Sequence, residues 1–150
     1  PYRRQRQMCI RDRYSAIAIV LSYIANISDR EFIKGFSSNI ISLLTTILAI
    51  NIPTSTLIVS EINRIKNKID IQPEPTFEEL KHGLIMQIVI LICLFIIQII
   101  CNYISGKMPL FIFYTNLISD AFAIAAFLYY IEIIYDLGIA LFNLISYKTK

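Results

Sequence analysis

The feature that most constrains this chain is a charge-free run of 21 residues, LIMQIVILICLFIIQIICNYI, at residues 84–104. A helix of that length spans the ~30 Å hydrocarbon core of a bilayer. Inside lipid the backbone has to satisfy its own hydrogen bonds, and a helix does so within one segment. The chain is also 56% hydrophobic, which is more apolar than an ordinary soluble domain. The run therefore predicts a transmembrane helix in an all-α integral membrane protein.

Four hydrophobic segments predict a single helical membrane domain, residues 14–150, with three to four transmembrane helices. The segments lie at residues 14–27, 36–62, 84–104 and 110–131. The first has only 14 residues, so it is either a short span or the remainder of a longer one. Ser28 with Glu31, and Thr76 with Glu79, have the spacing of capping boxes. These pairs predict where the second and third helices begin.

The first 13 residues, PYRRQRQMCIRDR, differ in composition from the rest of the chain. The hexamer MCIRDR looks like a translated transposase adapter from sequencing-library preparation, so we expect residues 1–13 to be a non-native leader. The alternative is a basic juxtamembrane arm that binds anionic lipid. Without the leader, nine Lys/Arg residues face ten Asp/Glu residues. The basic character then disappears, and we expect no nucleic-acid partner.

A helical hairpin beyond the membrane surface is predicted at residues 62–83, because heptad-like apolar spacing flanks a Pro-containing turn. Its apolar positions are candidates for binding a cytoplasmic protein partner: Ile62, Ile65, Ile69, Phe77 and Leu80. Farther along the chain, Glu132 and Asp136 share one face of an otherwise apolar stretch. This pattern predicts an amphipathic C-terminal helix over residues 131–148 that lies on the membrane surface.

The distribution of positive residues predicts the orientation. The hairpin and its flanks hold four of them, Arg64, Lys66, Lys68 and Lys81, whereas the link before the fourth segment has only Lys107. The positive-inside rule then places the hairpin and the C-terminus in the cytoplasm. High isoleucine with many Asn and Lys residues is typical of an AT-rich bacterial genome, so we expect a bacterial cytoplasmic membrane.

A polar stripe along the second helix is the first candidate functional feature. Small and polar residues follow an unbroken three–four spacing there: Asn39, Ser42, Thr46, Ala49, Pro53, Thr56, Ser60 and Asn63. One interpretation is close helix packing, because small residues let backbones approach and hydroxyls bond across the contact. The other is a water-filled path that these groups line in a homo-oligomer. Periodicity alone does not separate the two, because both need small polar side chains.

Asp120 is the strongest single candidate for a functional residue, because it lies well inside the fourth segment. A charge at such depth in a bilayer costs several kcal/mol, so ionisable groups there usually face a cavity or a partner. Candidate neighbours are Asn116 on the same helix, and Gln98 or Asn102 on the third. Three interpretations stay open. Asp120 is a protonated structural residue, a proton or cation site in a conduction path, or nearer to water than the segment bounds indicate.

Other chemistry-bearing residues favour structural roles. Glu132 and Asp136 are better suited to a solvated face than to a paired-carboxylate site. His82 is the only histidine, which makes a zinc site implausible. Cys93 and Cys101 lie ~12 Å apart along a helix, too far for a disulfide. Because the sequence also lacks a phosphate-binding glycine loop and a nucleophile motif, we expect no enzyme, no metal and no cofactor.

Two functions remain as hypotheses. The first is a small oligomeric channel or pore-forming protein, in which the polar stripe lines the path and Asp120 tunes its charge. The second is a non-conducting membrane anchor or interaction subunit whose cytoplasmic hairpin binds a partner. Both require the lipid bilayer, and they differ in which surface is functional.

Overall fold

The structure, a computed structural model, describes the backbone of residues 2–28, 30–66 and 74–148, and the side chains of residues 13–28, 30–64, 78 and 80–142. Within these residues the chain forms four α-helices and one short 3₁₀ turn, with no strand. The elements are α1 (Tyr2–Ser28), α2 (Arg30–Lys66), α3 (Glu74–Lys107), the 3₁₀ turn (Pro109–Phe111) and α4 (Ile112–Lys148). The predicted all-α class is confirmed.

Three of the described helices are long and apolar enough to cross a membrane. They correspond to the second, third and fourth predicted segments, at Arg30–Arg64, Leu80–Lys107 and Pro109–Phe142. Each exceeds the ~20 residues that a span needs. Helix α1 is not among them.

Helices α2 and α3 begin within two residues of the predicted caps, but Ser28 is the last residue of α1 and Thr76 lies in the first turn of α3, so neither occupies a cap position. Helix α2 begins at Arg30, just after the predicted cap Ser28. Helix α3 begins at Glu74, two residues before Thr76, and has Pro75 in its first turn, where the missing N–H costs nothing. Pro109 opens the 3₁₀ turn that joins α3 to α4.

Helix α4 is longer and more regular than the sequence pattern predicts. It continues from Ile112 through Gly138 to Lys148 without a break. The predicted amphipathic segment, residues 131–148, is therefore the last part of α4 and not a separate helix. Leu137 within it is buried, so this part still packs against protein.

The core lies between α2, α3 and α4. Helix α3 runs antiparallel to α4, since Ser105 bonds Thr115 near their connection and Tyr130 reaches Gln87 far from it. The main cluster of buried side chains comprises Ile40, Leu44, Leu94, Ala123, Ala126 and Tyr130. Helix α1 packs mainly against α4, where its Ala18 joins a second cluster. Large apolar side chains such as Phe95 and Ile99 cover the outer surface, as expected for helices that face lipid.

Candidate functional site

Asp120 is buried in the bundle, with 7% of its surface exposed. Its carboxylate accepts two hydrogen bonds from two other helices. The amide of Asn26 on α1 donates to Oδ2 at 3.1 Å, and the hydroxyl of Ser37 on α2 donates to Oδ1 at 2.5 Å. Both donors are neutral. The carboxylate therefore ties α1 and α2 to α4.

Further hydrogen bonds extend this contact into what we call the Asp120 network. Gln98 on α3 donates to the backbone carbonyl of Ser37 at 2.9 Å, and Ser22 on α1 donates to the carbonyl of Leu117 at 3.0 Å. Gln98, a predicted neighbour of Asp120, thus joins the network through Ser37 and not directly. All four helices contribute a group, so the network has the form of a structural clamp.

The other two predicted neighbours of Asp120 differ in burial. Asn116 is half-buried on α4, one turn before Asp120, whereas Asn102 on α3 is exposed. Two donors to Asp120 escaped the sequence analysis, namely Asn26 and Ser37. A signal for Asn26 was present, because Ser22 and Asn26 are four residues apart in an otherwise apolar segment.

The polar stripe faces away from the bundle. All eight of its residues, from Asn39 to Asn63, are exposed. The buried positions of α2 are Ile33, Ile40, Leu44, Asn51, Ser55 and Ile58. At ~100° per residue, the centre of the stripe lies ~180° around the helix from the centre of the buried positions. The structure therefore does not bring the stripe and Asp120 together.

The threonine hydroxyls along the outside of α2 bond to their own helix. Thr46 donates to the carbonyl of Ser42 at 2.9 Å, and Thr56 to that of Ile52 at 3.0 Å. Asn39 likewise donates to the carbonyl of Gly35. These local bonds reduce the cost of placing the groups in a bilayer.

Pro53 adds a backbone acceptor to the stripe. Helix α2 continues through Pro53, as predicted, but proline has no N–H to donate. The carbonyl of Ala49, one turn earlier, thus loses its usual helical partner. Ala49, which has no polar side chain, accordingly still contributes a carbonyl oxygen to the stripe.

A groove lies beside the first turns of the stripe. It encloses about 410 Å³ and all its lining residues belong to α2, among them Phe32, Gly35, Asn39 and Leu43. A Cβ atom added at Gly35 would meet nothing within 4 Å, so the notch opens outward. Small residues that leave such a notch are typical of sites where another helix approaches closely.

The predicted partner-binding hairpin is described only in part. Ile62 and Leu80 are half-buried near the ends of α2 and α3. Ile69 lies outside the described residues, and the side chains of Ile65 and Phe77 do as well.

The remaining candidates are exposed or half-buried. His82 and Asp136 are exposed, and Glu132 is half-buried. Cys93 and Cys101 are free thiols. Among the described residues, no group of three His, Cys, Asp or Glu side chains could hold a metal ion.

Comparison with protein-family models, curated proteins and solved structures finds no match to this chain. Its function therefore has to be inferred from the geometry alone.

Proposed function

We propose that this chain is the subunit of a small oligomeric membrane channel, in which the polar stripe of α2 lines a path between copies. One observation carries the proposal. The stripe extends from Asn39 to Asn63, ~36 Å along the helix, and points away from its own bundle. That length matches the ~30 Å thickness of the hydrocarbon core.

A path between copies has better support than a path inside one copy. The interior between α2, α3 and α4 contains a layer of apolar side chains, including Ile40, Leu44 and Leu94, which are at most 1% exposed. A dry apolar layer of this kind opposes the passage of ions. The stripe, by contrast, offers hydroxyl and carbonyl oxygens at every turn.

Asp120 has a structural role in this proposal. The sequence pattern predicts that Asp120 tunes the charge of the path, but its carboxylate lies on the inner side of α2, bonded to Ser37. It holds the subunit together and lines no shared path. We therefore expect Asp120→Asn to change stability more than ion selectivity.

Ion flux from liposomes that contain the purified chain tests the proposal. The test variant replaces two stripe threonines, Thr46→Val and Thr56→Val. The control is Thr54→Val, because Thr54 bonds to the carbonyl of Ile50 in the same way but lies off the stripe, half-buried. Valine keeps the shape and removes the hydroxyl, so the double variant should lose about tenfold or more in flux, equivalent to ~1.4 kcal/mol. The control should conduct like the parent.

Two results would count against the channel. Impermeable liposomes at every protein density tested would remove its basis. Equal flux in the parent and in the double stripe variant would place the path elsewhere in the molecule.

The second candidate function is a membrane anchor whose hairpin binds a cytoplasmic partner. It is favoured by the length of α2 and α3, which extend beyond a bilayer and bring Ile62 and Leu80 to their ends. Pull-down with Ile62→Asp, beside Asn63→Asp as an exposed neighbour, tests it. A partner lost only with the first variant would support the anchor, and unchanged recovery would argue against it.

A further inference from the structure

A second group of polar side chains lies inside the bundle, which we call the inner polar cluster. It consists of Asn51 and Ser55 on α2, and Gln87 on α3. Asn51 is 5% exposed, Ser55 is 3% exposed and Gln87 is fully buried. None of the three is part of the polar stripe or of the Asp120 network.

The register of the helices places these side chains at one depth. Leu44 and Leu94 belong to the same buried cluster. Asn51 lies two turns after Leu44 on the same face of α2. Gln87 lies two turns before Leu94 on the same face of α3, which runs antiparallel to α2. Ser55 follows one turn after Asn51. The hydroxyl of Tyr130 on α4 donates to the backbone carbonyl of Gln87 at 2.7 Å, which closes the third side.

Four buried polar atoms of this cluster have no hydrogen-bond partner among the described residues. They are Asn51 Nδ2, Ser55 Oγ, Gln87 Nε2 and Gln87 Oε1. Buried polar side-chain atoms are nearly always bonded to protein or to ordered water. The threonine hydroxyls on the outer face of α2, such as those of Thr46 and Thr56, bond to their own helix, whereas these inner groups do not.

We propose that Asn51, Ser55 and Gln87 form an internal site that binds water between α2, α3 and α4. The free groups include donors and an acceptor, and water both donates and accepts. A bare ion fits less well, because an unpaired charge needs a compensating charge when it is buried. Asp120 is the only charged side chain among the buried residues described, and Ser37, which bonds it, lies ~21 Å along α2 from Asn51.

The internal water site does not depend on the proposed channel. With it, the bundle has two polar layers, the Asp120 network and the inner polar cluster, and the apolar layer of Leu44 and Leu94 lies between them. Water held in the second layer would satisfy α2 and α3 at a depth where lipid offers no hydrogen bonds.

Water-edited solid-state NMR of the full chain in bilayers with deuterated lipid tests the site directly. Magnetisation from water should reach the side-chain amides of Asn51 and Gln87 nearly as fast as it reaches the side-chain amide of the exposed Asn63. The methyl groups of Leu44 and Leu94 should respond several-fold more slowly. Amides of Asn51 and Gln87 that respond as slowly as these methyl groups would overturn the proposal, and this measurement requires no variant to fold.

A double-mutant cycle supplies the second arm. Asn51→Leu and Gln87→Met each leave the other group without its shared water, so each should lower the thermal midpoint, and the double variant should recover part of the loss. Asn102→Leu, at an exposed position of α3, should combine additively with Asn51→Leu. The shared water site would be overturned if the losses of Asn51→Leu and Gln87→Met simply added in the double variant. It would also be overturned if the two losses were coupled but no magnetisation from water reached the two amides. The second result would indicate a direct bond between the two amides.

Discussion

At the scale of single residues, buried polar groups set the stability of this bundle. Asp120 accepts from Asn26 and Ser37, so a change at this one position removes the acceptor of the Ser37 hydroxyl. It also removes one of two acceptors of the Asn26 amide, which keeps its bond to the carbonyl of Ser22. An unpaired buried donor costs ~1–3 kcal/mol. We expect Asp120→Leu to lower the free energy of unfolding by ~2–4 kcal/mol, measured by steric trapping in bicelles.

Two further variants on α4 separate the Asp120 network from a general effect of carboxylates. Asp120→Asn keeps one acceptor oxygen and should cost about half as much as Asp120→Leu. Asp136→Asn is the matched control, because Asp136 is exposed on the same helix. A loss for Asp136→Asn as large as that for Asp120→Asn would show that any carboxylate on α4 matters, and that the Asp120 network does not.

Tyr130 links α4 to α3 through a buried hydrogen bond. Its ring is fully buried and its hydroxyl donates to the backbone carbonyl of Gln87. Tyr130→Phe keeps the ring and removes this bond, so unfolding should become easier by ~1 kcal/mol. Tyr135→Phe, at an exposed position five residues later, should be neutral. Equal thermal midpoints for the Tyr130→Phe variant and the parent would contradict the bond.

At the scale of elements, the sequence predicts the helices better than their contacts. Length and hydropathy are enough to locate α2, α3 and α4, because each contains an apolar run as long as a membrane-spanning helix needs. The three–four spacing also identifies the polar stripe. It does not give the direction of the stripe, because in lipid an apolar face serves equally for the outside and for the core.

The contacts of Asp120 were missed for a related physical reason. Helical spacing relates residues on one helix, whereas Asn26 and Ser37 meet Asp120 only because α1 and α2 pack against α4. The buried Asn51 and Gln87 were overlooked because each is a lone polar residue within an apolar stretch. Their importance depends on burial, which the sequence pattern alone does not reveal.

Helix α2 also carries a prediction about assembly. Gly35 lies in the outward groove, and a Cβ atom there meets nothing within the subunit. Gly35→Ala should therefore leave the subunit as stable or stabilise it by up to ~1 kcal/mol, as expected for a helix interior. If copies pack through this groove, the added methyl group should lower the oligomer fraction in bilayers, measured by single-molecule photobleaching.

The control for this prediction is Gly138→Ala on α4, where an added Cβ atom also meets nothing within 4 Å. Gly138 lies outside the groove, so the oligomer fraction of that variant should match the parent. If Gly35→Ala and Gly138→Ala had the same oligomer fraction, the groove would not be part of the contact between copies.

At the scale of the whole molecule, the outer surface is divided between two kinds of neighbour. Helix α3 exposes large apolar side chains, among them Ile88, Ile92 and Phe95, and suits lipid. Helix α2 exposes the polar stripe, flanked by apolar side chains such as Ile50 and Leu57. If copies associate as proposed, the stripe would face a neighbouring copy, and α3 would face the bilayer.

Three spans also fix which ends of the helices share a side of the membrane. The α2 end at Arg64 and the α3 end at Lys107 should lie on opposite sides, and the positive-inside rule places Arg64 in the cytoplasm. Helix α1 packs on α4 within the bundle, with Ala18 and Ser22 buried. We therefore expect α1 to cross as well, which would return Arg13 to the side of Arg64.

Single cysteines at these three positions test the arrangement, in a background whose native cysteines are replaced by alanine. A membrane-impermeant maleimide added to intact cells should label Lys107→Cys, and should label Arg64→Cys and Arg13→Cys only after lysis. The unsubstituted background controls for labelling elsewhere. Labelling of both Arg64→Cys and Lys107→Cys in intact cells would contradict three spans. Labelling of Arg13→Cys in intact cells, with Arg64→Cys protected, would instead place both ends of α1 on the outer side, because a helix that does not cross returns no residue to the cytoplasm.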